Sequence, residues 1–112
     1  TLSSSSAASD VYKRQTNMRG SLIYHEKRYF EDGSFQEIKI WQVPKSKDRP
    51  HGLKYSFAYI VNDERVIGYD NYKHKMDHRH YRNEEYRYKF EGLEKLWQDF
   101  INDIEQFRED NL

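Results

Sequence analysis

From Leu22 onward the chain alternates hydrophobic and polar positions in runs of strand length. Leu22–Phe30 alternates imperfectly between apolar and charged residues, and Glu31-Asp32-Gly33-Ser34 follows, where Asp-Gly is a strong hairpin signal. Phe35–Val43 reads as the second strand. Ile38 and Ile40 lie on one side of it and Trp41 and Val43 on the other, which predicts partial burial of both faces. Pro44–Gly52 is a basic loop closed by proline and glycine. Leu53–Val61 alternates cleanly, with Tyr55, Phe57, Tyr59 and Val61 on one side. Asn62-Asp63 can take the positive φ angles of a tight turn, Glu64–Asp70 is the fourth strand, and Tyr86–Phe90 is a short fifth. Leu93, Leu96, Trp97, Phe100, Ile101, Ile104 and Phe107 then fall at helical spacing, which predicts a helix with its apolar stripe on the sheet. The expected fold is α+β: an antiparallel β-sheet of about five strands with one long C-terminal amphipathic helix packed on one face.

The 112 residues fit one domain. Only 36% of them are apolar, but 16% are aromatic, and each large ring buries roughly 150–250 Å², so a small core remains feasible. There is no cysteine, which excludes disulfides and thiolate metal sites and fits a reducing compartment. No apolar run is long enough to span a bilayer and no secretory signal shows, so a cytoplasmic protein with no membrane partner is expected. Residues 1–17 are rich in serine and alanine and too polar to offset their ordering entropy, so they are expected to be a disordered tail. Within them Asp10-Val11-Tyr12-Lys13-Arg14-Gln15 resembles the translation of a sequencing-library adapter, which makes the tail an expected artefact and 18–112 the domain.

Charge balances overall at 19 basic and 19 acidic residues but is unevenly placed. Residues 91–112 carry seven acidic and two basic side chains, whereas 18–90 carry fifteen basic and eleven acidic. The helix therefore shows water an acidic face, and the sheet and loops suit a polyanion better.

The candidate chemistry is concentrated in Tyr69-Asp70-Asn71-Tyr72-Lys73-His74-Lys75-Met76-Asp77-His78-Arg79-His80-Tyr81. His78 and His80 project to the same side in extended backbone. With Asp70 or Asp77 they offer an O/N donor set suited to zinc or manganese. The same residues equally describe a solvated loop in which histidines pair with Asp77 and Glu84. A third reading needs no metal. Cleaving an RNA phosphodiester takes a base near the 2′-hydroxyl, an acid for the leaving oxygen and cations for the phosphorane. Histidine suits the acid–base work. Arg79, Arg82, Lys73 and Lys75 suit the phosphate, and Tyr69, Tyr72 and Tyr81 suit stacking on unpaired bases. The composition also fits an RNA-binding surface that does not cut. Glu84-Glu85 reads as solvated, and Trp41 is expected in the core rather than as a stacking platform. No glycine-rich phosphate loop supports a group-transfer enzyme.

Ile40-Trp41-Gln42-Val43-Pro44, His51-Gly52-Leu53-Lys54-Tyr55, Gly68-Tyr69-Asp70-Asn71, Asp77-His78-Arg79-His80-Tyr81, and the closing aromatic strand and helix resemble, in this order, the TumE family. These are small toxins of bacterial and archaeal type II toxin–antitoxin systems, and the likeness covers Met18 to about Phe107. The resemblance implies a growth-inhibiting toxin encoded beside a helix-turn-helix antitoxin that binds and silences it, with RNA as the expected target by analogy. The family tends to a Gly-Lys-Gly turn where this chain has His74-Lys75-Met76, so only Lys75 is retained. The expectation is a toxin acting as a metal-independent ribonuclease without a cofactor. His78 and His80 are acid and base, with Asp70 or Asp77 orienting an imidazole. Arg79, Lys75, Arg82, Tyr69 and Tyr81 bind substrate. The alternative is a module that arrests growth by occupying a nucleic acid or protein without cutting it.

Overall fold

The computed structural model describes residues 20–72 and 76–111. The expected tail at 1–17 and Lys75 lie outside the described residues. Six strands run in chain order across one antiparallel sheet: β1 (Ser21–Tyr29), β2 (Phe35–Gln42), β3 (Leu53–Val61), β4 (Glu64–Asp70), β5 (His78–Tyr81) and β6 (Glu84–Arg87). The helix α1 (Leu93–Asp110) follows. Each strand pairs with the next, so the sheet is an antiparallel meander.

The strand beyond the expected five is β5, which comes from the stretch singled out for chemistry. His78–Tyr81 pairs with β4 and Glu84–Arg87 closes the edge, while the expected strand over Tyr86–Phe90 ends at Arg87. The hairpin between β5 and β6 has no glycine or proline. Arg82 takes its positive φ of 58°, a conformation that Asn or Gly would ordinarily signal.

One face of the sheet holds the core. Ile38, Tyr55, Phe57, Tyr59, Ile67 and Tyr69 meet Leu96, Phe100, Ile104 and Phe107 of α1. The rings interlock edge to face, with Phe100 at 5.4 Å from Phe57 and 6.3 Å from Tyr69. The helix stripe recurs every three or four residues, so one side of α1 seats on alternate positions of the central strands.

The opposite face is polar. Strand alternation sends Lys39 and Trp41 of β2, Lys54 and Ser56 of β3, Gly68 and Asp70 of β4 and His78 and His80 of β5 to this side. Trp41, expected in the core, therefore stands half-buried on the open face, opposite Lys54.

Candidate active site on the open sheet face

The register sets two rows across the open face. Lys39, Ser56, Asp70, His78 and Arg87 form one, and Ala58, Gly68, His80 and Glu85 form the next. His80 Nε2 lies 3.7 Å from Asp70 Oδ2, and His78 Nε2 lies 3.2 Å from Glu85 Oε2. Asp70 is only 8% exposed, so its carboxylate is directed by its neighbours rather than by bulk water.

A bulge supplies the third member of this cluster. The β3–β4 register slips between Tyr59 and Ile60, so Val66 is an extra residue and Arg65 comes to lie opposite Ile60 on the open face. Arg65 Nη1 donates to Asp70 Oδ2 at 3.2 Å. Its side chain runs over Gly68, where an added Cβ would stand 3.0 Å from Arg65 Cδ. Glycine is thus what lets the guanidinium lie flat on the sheet between the bulge and Asp70.

These contacts set the charge on His80. Burial and, next, the Arg65 guanidinium push its pKa below the ordinary histidine value; His78 pushes the same way, while Asp70 and Glu85 oppose them. Near neutral pH His80 is therefore an uncharged imidazole, able to accept a proton. His78 Nδ1 is buried with no hydrogen-bond partner, and its Nε2 faces Glu85.

The other expected site residues occupy different places. Arg79, expected on phosphate, points to the helix face. Its Nε and Nη2 donate to Asp103 at 2.7 and 3.0 Å. Tyr69 is 1% exposed and its hydroxyl donates to the same carboxylate at 2.6 Å, so its ring packs in the core instead of offering a surface to a base. Tyr81 lies beneath the Arg79 guanidinium, 5.1 Å from its ring centroid. Asp77 is buried on that side too. It accepts from the Tyr55 hydroxyl at 2.6 Å, and His51 Nε2 stands 3.3 Å away. Arg82 occupies the β5–β6 turn over the ring of Phe107 at 4.7 Å. Among the described residues of the expected set, Asp70, His78 and His80 share the open face, whereas Tyr69, Arg79 and Tyr81 meet on the helix face. Among the described residues no three His, Cys, Asp or Glu side chains converge as metal ligands.

A family model described as Toxin TumE matches residues 3–108, nearly the whole chain. The chain belongs to the TumE toxin family. No curated protein and no solved structure matches it significantly. Among the described residues, no helix of this TumE-family chain is long and apolar enough to cross a membrane. The Gly-Tyr-Asp-Asn and Asp-His-Arg-His-Tyr segments that carry the TumE likeness are strands β4 and β5 with their entry residues, side by side in the sheet. Two members of the cluster, Arg65 and Glu85, fall outside those segments. Strand alternation places Glu85 beside His80 once β6 is known, whereas the bulge hides Arg65 from any reading by parity.

Proposed function

We propose that this TumE-family chain is the toxin of a type II toxin–antitoxin pair and that it cleaves RNA without a metal. The observation that carries the reading is the placement of His78 and His80 on the same sheet face, with Asp70 3.7 Å from His80 and Arg65 on that carboxylate. His80 takes the 2′-hydroxyl proton as that oxygen attacks phosphorus. His78 donates a proton to the departing 5′-oxygen, leaving a 2′,3′-cyclic phosphate and a 5′-hydroxyl. Asp70 orients His80, and Arg65 neutralises charge on the phosphorane. The partner that silences it is a helix-turn-helix antitoxin, as the resemblance implies.

Incubation of the purified protein with total RNA, with and without chelator, tests this. New ends carrying cyclic phosphate in both arms are the expected result. Cleavage abolished by chelator removes the metal-independent mechanism.

A binding-only reading has one feature in its favour. Both nitrogens of His78 are occupied or enclosed, so Glu85 must move before His78 can reach a leaving group. RNA retention without new ends selects that reading.

A further inference from the structure

On the open face, one row beyond Ser56 and His78, Lys54 stands between two aromatic rings. Its Nζ is 5.0 Å from the Trp41 centroid and 5.1 Å from the Tyr72 centroid. Tyr72 is 46% exposed, and Trp41 is half-buried. Burial and, next, the nearby Arg49 charge hold the Lys54 pKa below its ordinary value. Arg49 is anchored through its Nε to the Asn71 carbonyl oxygen at 3.0 Å, so it cannot easily leave. Among the described residues neither cation has a carboxylate partner. Lys54 thus stands between two ring faces with a second cation nearby, and an anion entering there would meet both. The basic residues Lys45 and Lys47 lie in the same β2–β3 loop as Arg49.

We infer that Trp41, Tyr72, Lys54 and Arg49 form a nucleotide subsite for single-stranded RNA, next to the histidine pair. An aromatic base stacks on the ring of Tyr72 or Trp41, and the adjoining phosphate meets Lys54 and Arg49. Lys54 swings out from between the rings as the base enters, exchanging its cation–π contacts for a phosphate. Stacking of this kind tolerates any base identity but needs an open base face, so the subsite selects unpaired over paired RNA. The inference rests on the RNA reading of the His78–His80 face and adds the substrate's strandedness and its second point of attachment.

Trp97→Phe leaves Trp41 as the chain's one tryptophan, because the sequence has two. Its fluorescence is titrated with a 2′-O-methyl single-stranded oligonucleotide, which cannot be cleaved, while anisotropy of a labelled oligonucleotide reports binding separately. Binding accompanied by quenching of Trp41 is expected. Tyr72→Ala, at an exposed position, should weaken affinity about 5- to 100-fold. Lys54→Gln should lower the salt dependence by about one counterion. A duplex of the same sequence should bind weakly and leave Trp41 unquenched. Binding without quenching, with Tyr72→Ala unchanged, overturns the subsite and leaves the RNA reading intact. No binding overturns both. Quenching by an oligonucleotide whose cleavable counterpart stays whole keeps the subsite and removes only the catalytic step.

Discussion

His80 and Asp70 face each other at 3.7 Å across β4 and β5, and Arg65 holds the same Asp70 oxygen at 3.2 Å. The carboxylate is shared between an imidazole and a guanidinium, so whatever moves Arg65 also changes the charge on His80. Arg65→Gln removes a positive charge that depresses the His80 pKa and leaves Asp70 freer to raise it, and both effects act upward. Under the proposed mechanism the base must be neutral. The acidic limb of the pH–rate profile should therefore move to higher pH in Arg65→Gln, as measured by cleavage of a short oligonucleotide across pH 4.5–8. An unmoved limb would mean that His80 is not the base.

Gly68→Ala should reproduce that shift without touching a charged group. The new Cβ would crowd the Arg65 side chain at 3.0–3.2 Å, and the flexible arginine is what gives way. Stability should change by no more than about 1 kcal/mol, since the flexible end of a side chain yields rather than backbone. Urea unfolding and the pH–rate profile together check this: a large loss of stability with an unshifted limb would refute it.

His80 also links pH to folding. Its pKa is lower in the folded chain than in the unfolded one, so the unfolded state binds more protons between those two values. The contribution of this group is fully present above the unfolded pKa of about 6.5 and is lost as pH falls through the folded value. His80→Gln should flatten the loss of melting temperature on acidification below about pH 6.5. Thermal melts at several pH values measure the difference.

His78→Ala and His80→Ala should each cut the rate by about 10²–10⁴-fold, the usual worth of a positioned general acid or base. Both side chains are mostly buried, at 17% and 20% exposure, so each truncation should also cost about 1 kcal/mol of stability, and the rate is read per folded molecule. Full growth arrest and full RNA cleavage by both variants would remove the assignment.

The strand over Leu53–Val61 is legible to the residue because its run alternates without interruption, Glu64–Asp70 is bounded by the Asn62-Asp63 turn, and the α1 stripe is equally plain. The grouping of Tyr69–Tyr81 into one pocket was not, and parity explains why. Within β5 the odd and even positions part company, sending His78 and His80 to the open face and Arg79 and Tyr81 to the helix face. Clustering along the chain therefore overstated clustering in space. The Arg82 turn carries no glycine or proline to announce a hairpin. The bulge at Val66 reverses the phase that would have placed Arg65. Alternation sets Trp41 opposite Ile38 and Ile40, yet it is expected in the core, and its register with Lys54 shows it on the open face.

Phe100 is fully buried where α1 crosses the central strands, and its ring meets Phe57 and Tyr69 edge-on. Phe100→Ala should cost about 3–5 kcal/mol, by lost transfer free energy and a cavity the rigid sheet cannot close. Chemical denaturation measures it. A loss under about 1 kcal/mol would mean that the helix seats differently.

Arg79 is the residue for which position in sequence and position in space argue for opposite roles. It stands between the two histidines in the chain, yet its guanidinium grips Asp103 through two nitrogens and reaches the Tyr69 hydroxyl at 3.1 Å. The pair raises the Arg79 pKa, and burial together with Asp103 raises that of Tyr69, so Arg79 stays charged and Tyr69 neutral across ordinary pH. Arg79→Ala leaves a largely buried carboxylate without its cation, and a charge-assisted hydrogen bond of this kind is worth about 1.5–3 kcal/mol. Asp103→Asn should lose a comparable amount. The double variant should lose less than the sum, because the cost lies in the unpaired charge rather than in the pair. The cleavage rate per folded molecule should stay within about threefold in all three, since their side chains meet on the far side of the sheet from His78 and His80. A rate loss on the scale of His80→Ala, with stability intact, would mean that Arg79 turns to the open face when substrate binds.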